Sequence, residues 1–227
     1  MTNALTRFAA GAALALGVAA GANASLWVQL DNNGVGPTVQ CQDNTACDTN
    51  GLAGIVSVST SFGTMTISLG GTGSGPPLLG PGNLDLTYNL TTGVGAPAGI
   101  YHVMVSMDGL SGNSQWTGTL GGTQNNGATT KMELFGDVAN TLFSLATSLC
   151  GPSGPTSSSP GVALSCSGAP FAGGAAYSLT GIVTIVAKRG STSATGDVLF
   201  QTPEPATLGL LGIALVGLAF SRRSKRA

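Results

Sequence analysis

An antiparallel β-sandwich is the fold class this sequence predicts, and three observations carry the prediction. Between two apolar terminal segments, residues 25–201 are dominated by Gly, Ser, Thr, Asn and Val and hold little charge. Eight to ten short β-rich runs cross that stretch, separated by Gly-, Asn- and Pro-rich turn signals. A length of about 180 residues suffices for one domain with a real core. Strands in this number and spacing suggest a jelly-roll-like or immunoglobulin-like layout.

Leu26–Leu30 reads as a first strand that ends at the turn Asp31-Asn32-Asn33-Gly34. The same D-x-N-G order returns seventeen residues later at Asp48-Thr49-Asn50-Gly51. Asp and Asn there bond nearby backbone and Gly accepts positive φ, so hairpin turns explain both. Calcium is the competing use in an exported protein, yet neither loop shows the further oxygen ligands of an EF-hand. Ile55–Thr60 and Thr64–Leu69 are the next two runs, with Ser61-Phe62-Gly63 as the hairpin between them. Gly70–Gly82 reads as a loop; it has no lysine and no P-loop order, so phosphate cradling is unsupported. Leu84, Leu86, Tyr88 and Leu90 alternate with Asp85, Thr87 and Asn89, the pattern of a half-buried strand.

Ile100–Met107 carries the single histidine. Alternation puts His102 on one face with Ile100, Met104 and Ser106, and Tyr101, Val103, Val105 and Met107 on the other. A packed or half-exposed histidine fits that setting better than a catalytic one. Gln115–Leu120 and Thr129–Phe135 follow, joined by the turn-rich Gly121–Gly127. Asp137–Leu149 is ambiguous: Val138, Leu142, Leu145 and Leu149 fit helical spacing with Asp137 as an N-cap, while the surrounding β pattern tips it to a strand. Tyr177–Ala187 is the strongest strand, Lys188–Ser191 turns the chain, and Asp197–Gln201 is the last strand. Trp27 and Trp116 are expected as core anchors, with stacking on sugar rings as the alternative use.

Both ends say export. Arg7, the thirteen apolar residues Phe8–Ala20 and the A-x-A site Ala22-Asn23-Ala24 make a signal peptide over residues 1–24, cut between Ala24 and Ser25. The four cysteines then belong in an oxidising compartment, where the local pairs Cys41–Cys47 and Cys150–Cys166 are the expected disulfides among three connectivities. Metal ligation is disfavoured, because C-x5-C without a nearby histidine is poor zinc spacing. Without its ends the chain keeps eight acids against three bases, a net charge near −5. No basic patch is left for a phosphate backbone, which argues against nucleic acid. The acids stand in no motif, and one imidazole serves few catalytic schemes, so no enzyme, catalytic residue or cofactor is expected.

At the far end, Pro203-Glu204-Pro205 precedes Ala206–Phe220, fifteen uncharged residues, and the basic Arg222, Arg223, Lys225 and Arg226. As a helix the apolar run is about 22 Å long, short of the ~30 Å hydrocarbon core. It spans only marginally, and its basic end is expected to stay cytoplasmic. This order over residues 202–227 resembles the PEP-CTERM sorting signal of Gram-negative surface and secreted proteins. The resemblance implies recognition of Pro203, Glu204 and Pro205 by an exosortase, a multi-span inner-membrane protease. It implies transient residence in the inner membrane, then delivery to the cell surface or extracellular space, often alongside exopolysaccharide. The body between is expected to be a non-catalytic β-sandwich, with a carbohydrate-binding adhesin as the alternative and a hydrolase as the third reading.

Overall fold

The computed structural model describes residues 25–32, 37–62, 65–74, 83–150 and 156–202. The expected signal peptide and the sorting helix with its flanking motif and basic tail lie outside them. Among the described residues the chain is all strand and turn, and no helix is long and apolar enough to cross a membrane. The strands in order are β1 (Leu26–Asn32), β2 (Pro37–Gln42), β3 (Ile55–Phe62), β4 (Met65–Ser74) and β5 (Asn83–Thr92). Next come β6 (Gly99–Leu110), β7 (Asn113–Ser114), β8 (Thr117–Gln124), β9 (Thr129–Asp137) and β10 (Thr147–Ser148). The last five are β11 (Thr156–Ser157), β12 (Gly161–Ser167), β13 (Phe171–Ala172), β14 (Tyr177–Ala187) and β15 (Ser193–Gln201).

One antiparallel sheet runs β10-β9-β14-β6-β1-β2, with β11 also on β9. The other runs β12-β8-β15-β5-β4-β3, and β13 pairs with β7 apart from both. Period-2 alternation explains how they meet. Leu84, Leu86, Tyr88 and Leu90 of β5, with Val198 and Phe200 of β15, are buried against Val103, Val105, Met132, Leu134 and Val183 of the other sheet. Each such aliphatic side chain contributes about 1.5–3 kcal/mol when taken out of water. Trp116 and Tyr101 lie in the same core, which gives Trp116 the anchoring role expected of it. Trp27 is only half-buried, its Nε1 donating to Ser25 Oγ at 3.3 Å.

Three expectations change. Gly70 to Ser74 are strand, not loop, because their backbones complete the ladder to β5, from Gly70 opposite Thr87 to Ser74 opposite Asn83. Asp31 and Asn32 of the first D-x-N-G end β1, which pairs antiparallel with β2, and Asn33 and Gly34 lie outside the described residues; the second D-x-N-G is no hairpin. It carries the chain from β2 in one sheet to β3 in the other. Asp48 accepts backbone N–H groups from Asn50, Ser57 and Asn44 at 2.9, 2.9 and 3.2 Å. Burial acts to raise the pKa of Asp48, but these donors outweigh it and hold the carboxyl below its ordinary range. Thr49 N–H donates to Ser57 O at 2.9 Å, so the loop occupies the outer edge of β3 where another strand would otherwise pair.

The stretch from Asp137 to Leu149 is neither helix nor strand beyond Asp137, which ends β9, and the two residues of β10. Its side chains capture backbone groups and break both patterns. Asp137 Oδ1 accepts from Ala139 N–H at 2.8 Å, Asn140 Oδ1 from Gly109 N–H at 2.8 Å, and Ser106 Oγ from Phe143 N–H at 3.0 Å. Asn140 and Phe143 both take left-handed φ, 58° and 56°. The result is a strap laid over the outer face of the β14–β6 pair, which explains why β14 is buried along most of both faces.

Candidate functional site

Ser25 and Thr202 are the first and last described residues. At the start, Ser25 N–H and Oγ both donate to Asp108 Oδ1, at 2.8 and 2.9 Å. Ala24 lies outside the described residues. At the end, β15 is held between β5 and β8, with Gln201 opposite Asn83 on one side and Thr117 on the other. Thr202 is buried. Pro203, Glu204, Pro205, Arg222, Arg223, Lys225 and Arg226 lie outside the described residues. Both expected disulfides are present, Cys41–Cys47 and Cys150–Cys166. Among the described residues no group of three metal-ligating side chains comes together.

Two pairs that sequence reasoning missed do come together. Asp31, at the end of β1, and His102, opposite it on β6, approach to 3.6 Å between Oδ2 and Nδ1. Asp31 is buried and its Oδ1 has no hydrogen-bond partner. Thr184 stands next in the row, opposite His102 on β14. The arrangement lies on the outer face of a sheet.

The second pair is Asp85 on β5 and Asp197 on β15. Asp197 sits opposite Thr87 and Asp85 opposite Leu199, so the two acids are diagonal neighbours on the outward face of the sheet. Burial raises the Asp85 pKa to about 6, helped by a hydrogen bond to Asp197 and by its charge, against a backbone donor at Leu86. Asp85 Oδ1 is buried and receives no hydrogen bond, so a shared proton is what makes the contact favourable.

The sign follows. Asp85 is a stronger proton binder folded than unfolded, where its value is 3.8. The Asp85 contribution to stability is therefore full below pH 3.8 and is lost as pH rises to about 6. Asp85→Asn is expected to abolish that slope and to stabilise the protein at pH 7.5 by about 1 kcal/mol, a figure discounted because Asp85 is only half-buried. Urea midpoints of the two proteins from pH 4 to 8 check it. An unchanged slope in the variant contradicts the assignment.

Residues 201–223 match the family model described as the PEP-CTERM protein-sorting motif. No curated protein matches the chain in sequence. Two solved structures are similar in part. One is the enzymatically active domain of bacteriophage CBA120 tailspike protein 4, at 12% identity and TM-score 0.30, over 66% of this chain and 19% of that one. The other is the infectious bursal disease virus Gx strain structure, at 9% identity and TM-score 0.31, over 79% of this chain and 51% of that one. This chain thus spans a fifth and a half of their lengths, and likeness at these scores bears on neither fold nor function.

Proposed function

We infer, from the PEP-CTERM protein-sorting motif that this chain carries, that it is exported and handed to an exosortase at the inner membrane, which releases the body to the cell surface or extracellular matrix. The single observation that carries this reading is the motif standing directly after the last strand, followed by a short apolar run and a basic end. The start of the body supports it. Cleavage after Ala24 turns the Ser25 nitrogen into an ammonium 2.8 Å from Asp108, a charge-assisted contact. In this reading residues 1–24 are the signal peptide, 25–201 the secreted domain and 202–227 the sorting signal.

The body itself is read as a jelly-roll-like sandwich without catalytic function. Links β5–β6, β8–β9 and β14–β15 each cross between sheets, and the last two strands insert between earlier ones, which favours this layout over an immunoglobulin-like one. The one pair of acids in contact counts against glycoside hydrolysis at that pair. A glycosidase holds its two carboxyls about 5–9.5 Å apart around the sugar, whereas Asp85 and Asp197 are in hydrogen-bonding contact.

The experiment is fractionation with intact mass, on wild type and on Pro203→Ala/Glu204→Ala. The mature wild type is expected to start at Ser25 and lack the basic end, while the variant keeps it and stays in the membrane fraction. Retention of the whole tail in the wild type's final form defeats the sorting reading.

One observation favours exopolysaccharide as a ligand. Outward positions of β5, β15 and β8 carry Thr87, Asn89, Thr91, Thr195, Thr119 and Thr123 around the Asp85–Asp197 pair, a polar face without Lys or Arg. Burial of Tyr101 and Trp116 meanwhile removes two of the three rings for sugar stacking. A glycan-binding screen on the processed protein, repeated with Thr119→Val/Thr195→Val, tests it: no binding by the wild type ends the adhesin reading.

A further inference from the structure

The sequence leaves only Pro203-Glu204-Pro205 between the last described residue of the body and the apolar run. β15 is a central strand, and its last residue is paired on both sides. Thr117 Oγ1 donates to Gln201 O at 3.2 Å. Phe200 is wholly buried and Thr202 is 8% exposed. Freeing residues 200–202 breaks two ladders and empties part of the core, an opening near the global end of the stability range. From Thr202 to Ala206 there are four peptide steps, a reach of at most about 14 Å.

Resting on the sorting reading above, we propose that the sandwich end where β15 exits is the surface presented to the processing protease, and that the cut falls C-terminal to Thr202. The protease cannot draw residues before Pro203 into an extended pose, so it reads the chain from Pro203 onward and meets the folded body at once. The composition of that end fits close approach to a bilayer and a membrane enzyme. Beside the exit, Thr117, Ser167 and Gln201 stand in one row with Gln115, Ala169 and Pro170 adjoining in sequence, all uncharged, while Asp108 and Asp137 at the same end of the facing sheet each accept a backbone N–H. Charged side chains are costly to bring against an apolar surface unless paired.

The test is the C-terminal mass and processing rate of the full-length protein in cells, for wild type, Gln115→Glu/Ala169→Glu, and the same pair with a six-residue Gly-Ser spacer between Thr202 and Pro203. The wild-type product is expected to end at Thr202 or later. The two acids should slow processing several-fold, and the spacer should restore the rate with the cut fixed relative to Pro203. Rescue by the spacer separates a surface effect from misfolding, which a spacer cannot repair. A product ending at Gln201 or earlier overturns the proposal while sparing the sorting reading, as does wild-type speed in the acidic pair or failure of the spacer to rescue. Retention of the whole tail by the wild type defeats the sorting reading and this proposal with it.

Discussion

Phe200→Ala is expected to lower the stability of the body by about 3–5 kcal/mol, the range for emptying a buried aromatic site. The ring is fully buried on β15, the strand that joins the two halves of its sheet. Its seat is made by two glycines. Gly118, directly opposite on β8, would put a Cβ 2.7 Å from Phe200 Cδ1, and a Cβ on Gly181 of β14, in the facing sheet, would collide with Cε2. The ring thus fills the space that both sheets leave open, and its loss leaves a cavity neither backbone can close. The same geometry predicts non-additivity. Gly181→Ala alone should destabilise by about 1–3 kcal/mol through overpacking, yet cost far less in the Phe200→Ala background, where the room exists. Denaturant unfolding of the four proteins of the cycle measures the coupling. A strictly additive cycle would show that Phe200 and Gly181 do not meet.

The strands that alternate were readable from sequence, because burial on one face leaves a period of two. Leu84 through Leu90 and Tyr101 through Met107 lie on the buried faces as expected. Strand ends were less readable. Gly70 to Ser74 look like a loop, since glycine signals flexibility locally, but a neighbouring strand supplies their hydrogen bonds from outside the segment. The strap after Asp137 failed for the opposite reason. Its apolar residues mimic a periodic element, while Asn140 and Phe143 turn left-handed and Ser106, far away in sequence, receives the backbone. Nothing local announces that.

The candidate site divides in the same way. The sorting segment is a contiguous string, so residue order alone carries it, and the family match over residues 201–223 agrees. Asp85 with Asp197 and Asp31 with His102 are products of strand register across long separations, for which neither residue's neighbours hold a signal. The D-x-N-G repeat shows the limit of motif reading. Two copies of one turn code serve different tasks, because Asp48 finds Ser57 N–H on the edge of β3 and thereby finishes a sheet.

Replacing both Cys150 and Cys166 by Ser is expected to cost about 3 kcal/mol by loop entropy alone, against about 2 for the Cys41–Cys47 pair, whose loop is shorter. The closed loops span 16 and 6 positions. What the longer bridge joins makes its effect more than entropic. Cys166 lies on β12, an edge strand of one sheet that pairs only with β8. Cys150 follows Leu149, which donates its N–H to Leu134 O of β9 in the other sheet at 2.7 Å. The bridge therefore ties the edge of one sheet to the edge of the other, beside the link that runs from β11, on β9, to β12. Without it, amide exchange at Val162 and Leu164 should quicken well before that at Val183 or Val103 in the paired centre. A reductant should shift the wild-type unfolding midpoint by more than it shifts the Cys150→Ser/Cys166→Ser variant, which has only the Cys41–Cys47 bond left to lose. If the double variant unfolds within about 0.5 kcal/mol of wild type, a difference in the range of ordinary surface substitutions, the bridge does not staple the sheets. A body that depends on this bond gains its full stability only after reaching an oxidising compartment, which fits a chain that completes its fold outside the cytoplasm.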